Sequence, residues 1–131
     1  MIDSITISPD QRVCEIHVSG ALDLETYAQT REQFMALPGW HKDIDYLMVY
    51  RRVYLSEFTP EVADQLMSRF EAFDRDVLDG RRVRMAFVCA DETAEPLMRF
   101  WEALSAQRRP VDERFFRSET DARAWLQTPR A

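Results

Sequence analysis

The stretch Arg82–Asp91, RVRMAFVCAD, constrains this chain more than any other. Its middle, Met85 to Cys89, is apolar without interruption, and Asp79-Gly80 before it is a turn signal. A strand with no polar alternation is buried on both faces, which requires a parallel sheet covered by helices on either side. Ile44 to Tyr50, IDYLMVY, has the same character. The expectation is that the two strands lie side by side in the middle of one sheet.

The flanking segments supply the rest of an α/β order. Ile5 and Ile7 alternate with Ser4, Thr6 and Ser8, Pro9-Asp10 forms a turn, and Val13 to Ser19 alternates again, so these segments read as a hairpin. Asp23 is a helix N-cap ahead of Leu24, Tyr27, Ala28, Phe34 and Met35, a helical spacing interrupted by Arg31, whose stem can lie along apolar surface. Thr59-Pro60-Glu61 is a second helix start, leading into Val62, Ala63, Leu66, Met67, Phe70, Phe73 and Val77, with Gly80 as its expected C′ residue. Thr93 opens a helix carrying Leu97, Phe100, Trp101 and Leu104. Val111 to Phe116 is a last short strand, and Ser118 with Asp121 caps a helix that docks through Ala122, Trp125 and Leu126. The predicted order is β-β-α-β-α-β-α-β-α, one α/β domain over residues 1–131 with a mostly parallel sheet and a leading hairpin.

Composition excludes several functions. A formal charge of −6 argues against binding nucleic acid or an anionic membrane surface. Of the 17 basic side chains only Lys42 is a lysine, and it lies in a loop without the glycines or acidic pair of a phosphate-binding or phosphotransfer site. The two histidines, His17 and His41, are far apart, and neither cysteine has a ligand neighbour, so no metal or other cofactor is expected. Cys14 and Cys89 read as reduced, buried thiols of a cytoplasmic protein. MIDSITISPDQ lacks the features of a signal peptide, and no run approaches the ~20 apolar residues of a membrane span.

The stretch ERFFRSETDARAWL, residues 113–126, and RVRMAFVCADETAEPLMRFWEAL, residues 82–104, resemble the closing helix and the central strand-helix pair of STAS domains. The resemblance is closest to the SpoIIAA-like branch. It implies a non-enzymatic domain that binds proteins or apolar small molecules, with a further likeness to the lipid-binding CRAL-TRIO fold. The anti-sigma antagonists of that family carry an Asp-Ser-Ser/Thr-Gly phosphoacceptor motif where the helix after the third strand begins. Here that place reads Leu55-Ser56-Glu57-Phe58-Thr59-Pro60, without the motif, and Thr59 reads as a helix cap.

The candidate binding residues are Arg51, Arg52, Tyr54, Phe58 and Asp91, which follow the C-terminal ends of the two buried strands. In open α/β sheets ligands bind at that edge. Two guanidiniums beside aromatic rings suit the head group and tail of an amphipathic anion such as a fatty acid. Met67, Met98, Phe100 and Trp101 are either plain core or the wall of a cavity. The run Arg81, Arg82, Arg84 reads as a solvated strand end, and Cys89 with Asp91 lacks the arginine of a phosphatase loop, position 95 being Glu95. A protein-interaction regulator using the same edge is the alternative to a small-molecule or lipid carrier. Peripheral membrane contact and a homodimer are left open.

Overall fold

The computed structural model describes residues 1–129. Its elements are β1 (Ile2–Ile7), β2 (Val13–Ala21), α1 (Leu24–Met35), β3 (Asp45–Tyr54), α2 (Pro60–Asp76), β4 (Arg84–Val88), α3 (Glu95–Arg108), β5 (Asp112–Phe116) and α4 (Glu119–Gln127). A single 3-10 turn, Glu92–Ala94, leads into α3. The sheet runs β1-β2-β3-β4-β5, with β1 antiparallel to β2 and every later pair parallel. The predicted fold class and element order are those of the structure.

The strand order never reverses, and this decides where the helices lie. Right-handed crossovers between successive strands that step in one direction place α1, α2 and α3 on one face. Only α4, which follows the last strand, covers the other. The core divides accordingly. Ile16, Tyr46, Met48, Met85 and Phe87 face the three helices, while Leu47, Val49, Ala86 and Val88 face Ala122 and Leu126 of α4. Strands β3 and β4 are therefore buried on both sides, as their unbroken apolar runs require.

Local chemistry sets the helix starts. Asp23 accepts the Thr26 N–H at 2.8 Å, Thr59 the Val62 N–H at 3.2 Å, and Ser118 the Asp121 N–H at 3.3 Å. A cap of this kind contributes about 1 kcal/mol. Arg31 stacks its guanidinium 5.1 Å from the centre of the Phe73 ring, so its stem does cross apolar surface.

Several expectations need correction. The strand at the centre of the sheet is β3, ten residues long, and β4 is only five. β3 continues through Arg51 to Tyr54 because Gly20 and Ala21 extend β2 alongside it, with a bulge at Arg52, whose φ is +50°. Helix α2 stops at Asp76, and Val77 rather than a residue beside Gly80 caps it. Phe100 faces solvent, 54% exposed, because α3 buries Met98, Trp101 and Ser105 instead. Arg84 is not a solvated strand end. It donates to the Trp125 and Thr128 carbonyls at 3.0 and 2.8 Å and stacks on Trp125, closing the C-terminus of α4.

One polar group is built into the larger core. Arg109, whose side chain is 0% exposed, donates two hydrogen bonds to Asp74 of α2 at 2.7 and 2.8 Å and one to Glu113 Oε1 of β5 at 3.2 Å. Its guanidinium carbon lies 4.6 Å from the centre of the Phe70 ring. Removing one member of such a cluster leaves buried charge uncompensated, which costs about 3–5 kcal/mol. Arg109→Ala should therefore lower the unfolding free energy by about that amount in urea titration. A loss under about 1 kcal/mol, the level of an exposed pair, would contradict this account of the core.

Candidate functional site

Between the sheet and helices α1, α2 and α3 lies a cavity of about 100 Å³. Ile16 and Val18 of β2, Tyr46, Met48 and Tyr50 of β3, and Met85 and Phe87 of β4 form its sheet wall. Tyr27 and Phe34 of α1, Leu66, Phe70 and Phe73 of α2, and Leu97, Met98 and Trp101 of α3 form its helical wall. Leu22, Asp23 and Phe58 complete it just beyond the C-terminal ends of β2 and β3, and all three are half-buried. The parallel strands and their crossovers thus put the cavity under the expected edge of the sheet.

The wall is aromatic and apolar. Phe70 meets Trp101 edge-on at 5.7 Å between ring centres, Phe58 meets Trp101 at 6.4 Å, and Tyr27 packs on Phe70 at 4.5 Å. Its polar groups are few. Asp23 is occupied as the α1 cap, and the Thr30 hydroxyl donates to the Thr26 carbonyl at 2.7 Å. The Tyr27 hydroxyl donates to the Arg69 carbonyl at 3.4 Å. Among the described residues the Tyr50 hydroxyl reaches only the Met48 sulfur at 3.7 Å, a weak acceptor. Glu113 lies at the β5 side of the wall and accepts the Trp101 indole N–H at 3.0 Å.

The five residues chosen from the sequence are dispersed around this cavity. Phe58 is on its wall. Arg51 points to the α4 face, where it pairs with Glu119 at 3.2 Å, and Arg52 projects from the bulge into solvent. Tyr54 is 67% exposed. Asp91 caps the turn before α3, accepting from the Thr93 hydroxyl and N–H at 2.8 and 2.9 Å. These contacts, the hydroxyl first, lower its pKa. Met98 and Trp101 do line the cavity, whereas Met67 and Phe100 do not belong to its wall. Glu113 was missed, although its buried position in phase with Phe115 along β5 was the available signal.

A match to the SpoIIAA-like family model covers residues 13–127. The chain belongs to the SpoIIAA-like family. Among solved structures it is similar to an uncharacterised protein of SpoIIAA-like fold from Shewanella loihica PV-4, at a TM-score of 0.54 and 22% identity. That alignment covers 96% of this chain and 92% of the other. No curated protein matches the chain. In this SpoIIAA-like domain Ser56 sits exposed in a turn closed by the Phe58 N–H on the Leu55 carbonyl at 3.0 Å, and Thr59 is the α2 cap. Among the described residues no group of three or more His, Cys, Asp or Glu could hold a metal ion. No described helix is long and apolar enough to cross a membrane.

Burial also sets the titration of the core. It pushes the Cys14 thiol from 9.0 up to about 12 and the Tyr27 phenol from 10.0 up to about 12. Cys89 is raised by the same desolvation. Each group is neutral until it loses its proton, so the folded state holds protons that the unfolded chain releases. Stability is intact below about pH 9 and falls as pH rises from there through about 12. The urea midpoint should decline across that window, and Cys14→Ala should flatten the decline. Both thiols should react slowly with a thiol reagent at neutral pH and quickly in denaturant. Fast native labelling of Cys89 would point instead to a reactive cysteine.

Proposed function

We propose that this SpoIIAA-like domain is a non-enzymatic binding module that holds a small apolar molecule between its sheet and helices α1 to α3. The observation that carries the reading is the cavity itself, enclosed by aromatic and methionine side chains and reaching half-buried residues at the sheet edge. Large apolar cavities are uncommon in close-packed interiors, and apolar ones take up apolar guests. Size limits the guest. Drug-sized ligands occupy about 300–1,000 Å³, whereas this cavity is about 100 Å³. It suits one small ring or the end of a longer chain, and a whole fatty acid would extend beyond it.

A head group outside the cavity would lie near the loop after β3. Arg52 and Tyr54 are exposed there, while Arg51 is engaged with Glu119 on the other face. Lipid carriage through this loop is thus confined to Arg52, Tyr54 and Phe58. The protein-partner reading draws on a different feature, the exposed aromatic side chains of Tyr54 and Phe100.

Titration with benzene or thiophene, followed through the methyl signals of Met48, Met85 and Met98, tests the cavity. Saturable shifts are expected for the wild type. Leu66→Phe, which places a larger side chain at the wall, should abolish them at a stability cost of about 1–3 kcal/mol. Arg51→Ala should leave them unchanged. If the wild type shows no saturable shift, the carrier reading fails and the protein-partner reading takes its place.

A further inference from the structure

Helix α3 is apolar on two faces, and the described chain covers one of them. The inward face buries Met98, Trp101 and Ser105. Six residues of the helix are exposed, Pro96, Arg99, Phe100, Ala103, Ala106 and Gln107, and only Arg99 among them is charged. Helix α2, by contrast, exposes Glu61, Asp64, Arg69, Arg75 and Asp76. A surface helix ordinarily turns one apolar stripe inward and a charged face to water. Pro96, Phe100, Ala103 and Gln107 recur three or four residues apart, so they form one uncharged row on the solvent side, with the half-buried Leu104 beside it. A single exposed phenylalanine is ordinary, whereas an uncharged row along the length of a helix has the form of a helix-packing surface.

The charge bordering this row is negative in excess. Arg108 is shared between Asp64 and Glu71 of α2, and Arg99 between Glu95 and Glu102 of α3. Arg117 is shared between Glu92 and Glu95 at the head of the helix. Five carboxylates thus meet three guanidiniums, and the exposed Glu61 in the first turn of α2 adds a sixth. Arg99 also lies over the Phe115 ring at 4.8 Å, which draws it toward β5. In the pairs Glu92–Arg117 and Asp64–Arg108 the carboxylate is the more exposed partner, at 84% and 68% against 41% and 28%. A molecule laid along the row meets no charge at its centre and surplus carboxylates at its edges.

We propose that the outer face of α3 is a docking surface for an amphipathic helix of another protein whose apolar stripe is flanked by lysine or arginine. Phe100 is the aromatic anchor, and the small side chain of Ala103 lets the two helix axes approach. The bordering carboxylates receive the partner's cations, and the three- and four-residue spacing matches that of a helix laid on a helix. A second copy of this chain is the wrong occupant, because it would set the same surplus of carboxylates against itself. The surface is separate from the cavity, and neither reading depends on the other.

The probe is a labelled synthetic helical peptide of about 18 residues, with leucines three and four apart and lysines beside them. A second peptide carries glutamates in place of the lysines. The protein is titrated into each and binding is followed by fluorescence anisotropy. The lysine peptide should bind saturably, and the glutamate peptide more weakly by about tenfold or more. Phe100→Ser leaves the charge unchanged and removes the anchor, so it should weaken the lysine peptide about tenfold while the urea midpoint stays that of the wild type. Tyr54→Ser, at the end of β3, should leave binding as it is. Undiminished binding by Phe100→Ser would overturn the proposal, since the contact would then be charge alone. A loss confined to Tyr54→Ser would overturn it by moving the surface elsewhere. Equal binding of the two peptides, or no saturable binding of the lysine peptide, would overturn it as well. Sedimentation of the protein alone gives the remaining outcome: a dimer that Phe100→Ser dissociates would assign the face to a second copy and overturn the basic partner.

Discussion

A guanidinium buried between two carboxylates is the interaction on which the helical side of this molecule depends. Arg109 follows α3, Asp74 closes the last full turn of α2, and Glu113 stands on β5. Their hydrogen bonds fix three elements relative to one another through directional contacts, where apolar packing alone would allow sliding. The fixed geometry is what lets Phe70 lie on the guanidinium and Trp101 reach Glu113. Stability alone does not account for such a cluster, because well-packed hydrophobic residues often serve as well or better. Its contribution is position. It ties α2, the end of α3 and β5 together beside the cavity, with Glu113 on its wall.

The topology explains why the cavity lies under the sheet and not in a crevice between strands. In doubly wound folds a reversal of strand order splays two helices apart and leaves a cleft at the strand ends. Here β1 to β5 follow one direction, so no reversal exists and the three crossovers pack side by side on one face. The space available to a guest is then between that helical layer and the sheet. Reasoning from strand ends pointed to the edge at which Tyr50 and Phe58 lie, but looked outward from it. The cavity extends inward.

Much of the fold was legible because it rests on local chemistry and period. The caps at Asp23, Thr59 and Ser118, the buried runs of β3 and β4, and the alternation of β2 each follow from a few neighbouring residues. What was not legible depends on tertiary partners. Residues Arg51 to Tyr54 become strand because β2 runs on beside them, and Arg51, in phase with Leu47 and Val49 along β3, lies on the α4 face beside Glu119 and away from the cavity. Phe100 has helical spacing with Leu97 and Leu104, but α3 buries Met98, Trp101 and Ser105 instead. Arg109 is one of many arginines, and nothing local distinguishes it. Glu113 gave the clearest hint, a carboxylate in phase with Phe115 on the buried side of a strand, and its importance emerges only with Trp101 and Arg109 in place.

The two faces of the sheet divide the remaining chemistry. On the α4 side, β2 presents Glu15 and His17, which contact each other at 2.8 Å, and Arg123 links Glu15 to Glu119 and so to Arg51. Arg123 is the chief reason that Glu15 titrates low. These are partly exposed pairs, each worth about 1 kcal/mol or less, and they dock one helix on a half-solvated surface. On the other side three helices exclude water, and Arg109, Asp74 and Glu113 form a buried ionic cluster within that core, with Glu113 on the cavity wall. Charge on the first face is solvated and replaceable. On the second it is desolvated, so each of its hydrogen bonds weighs more and losing one costs more.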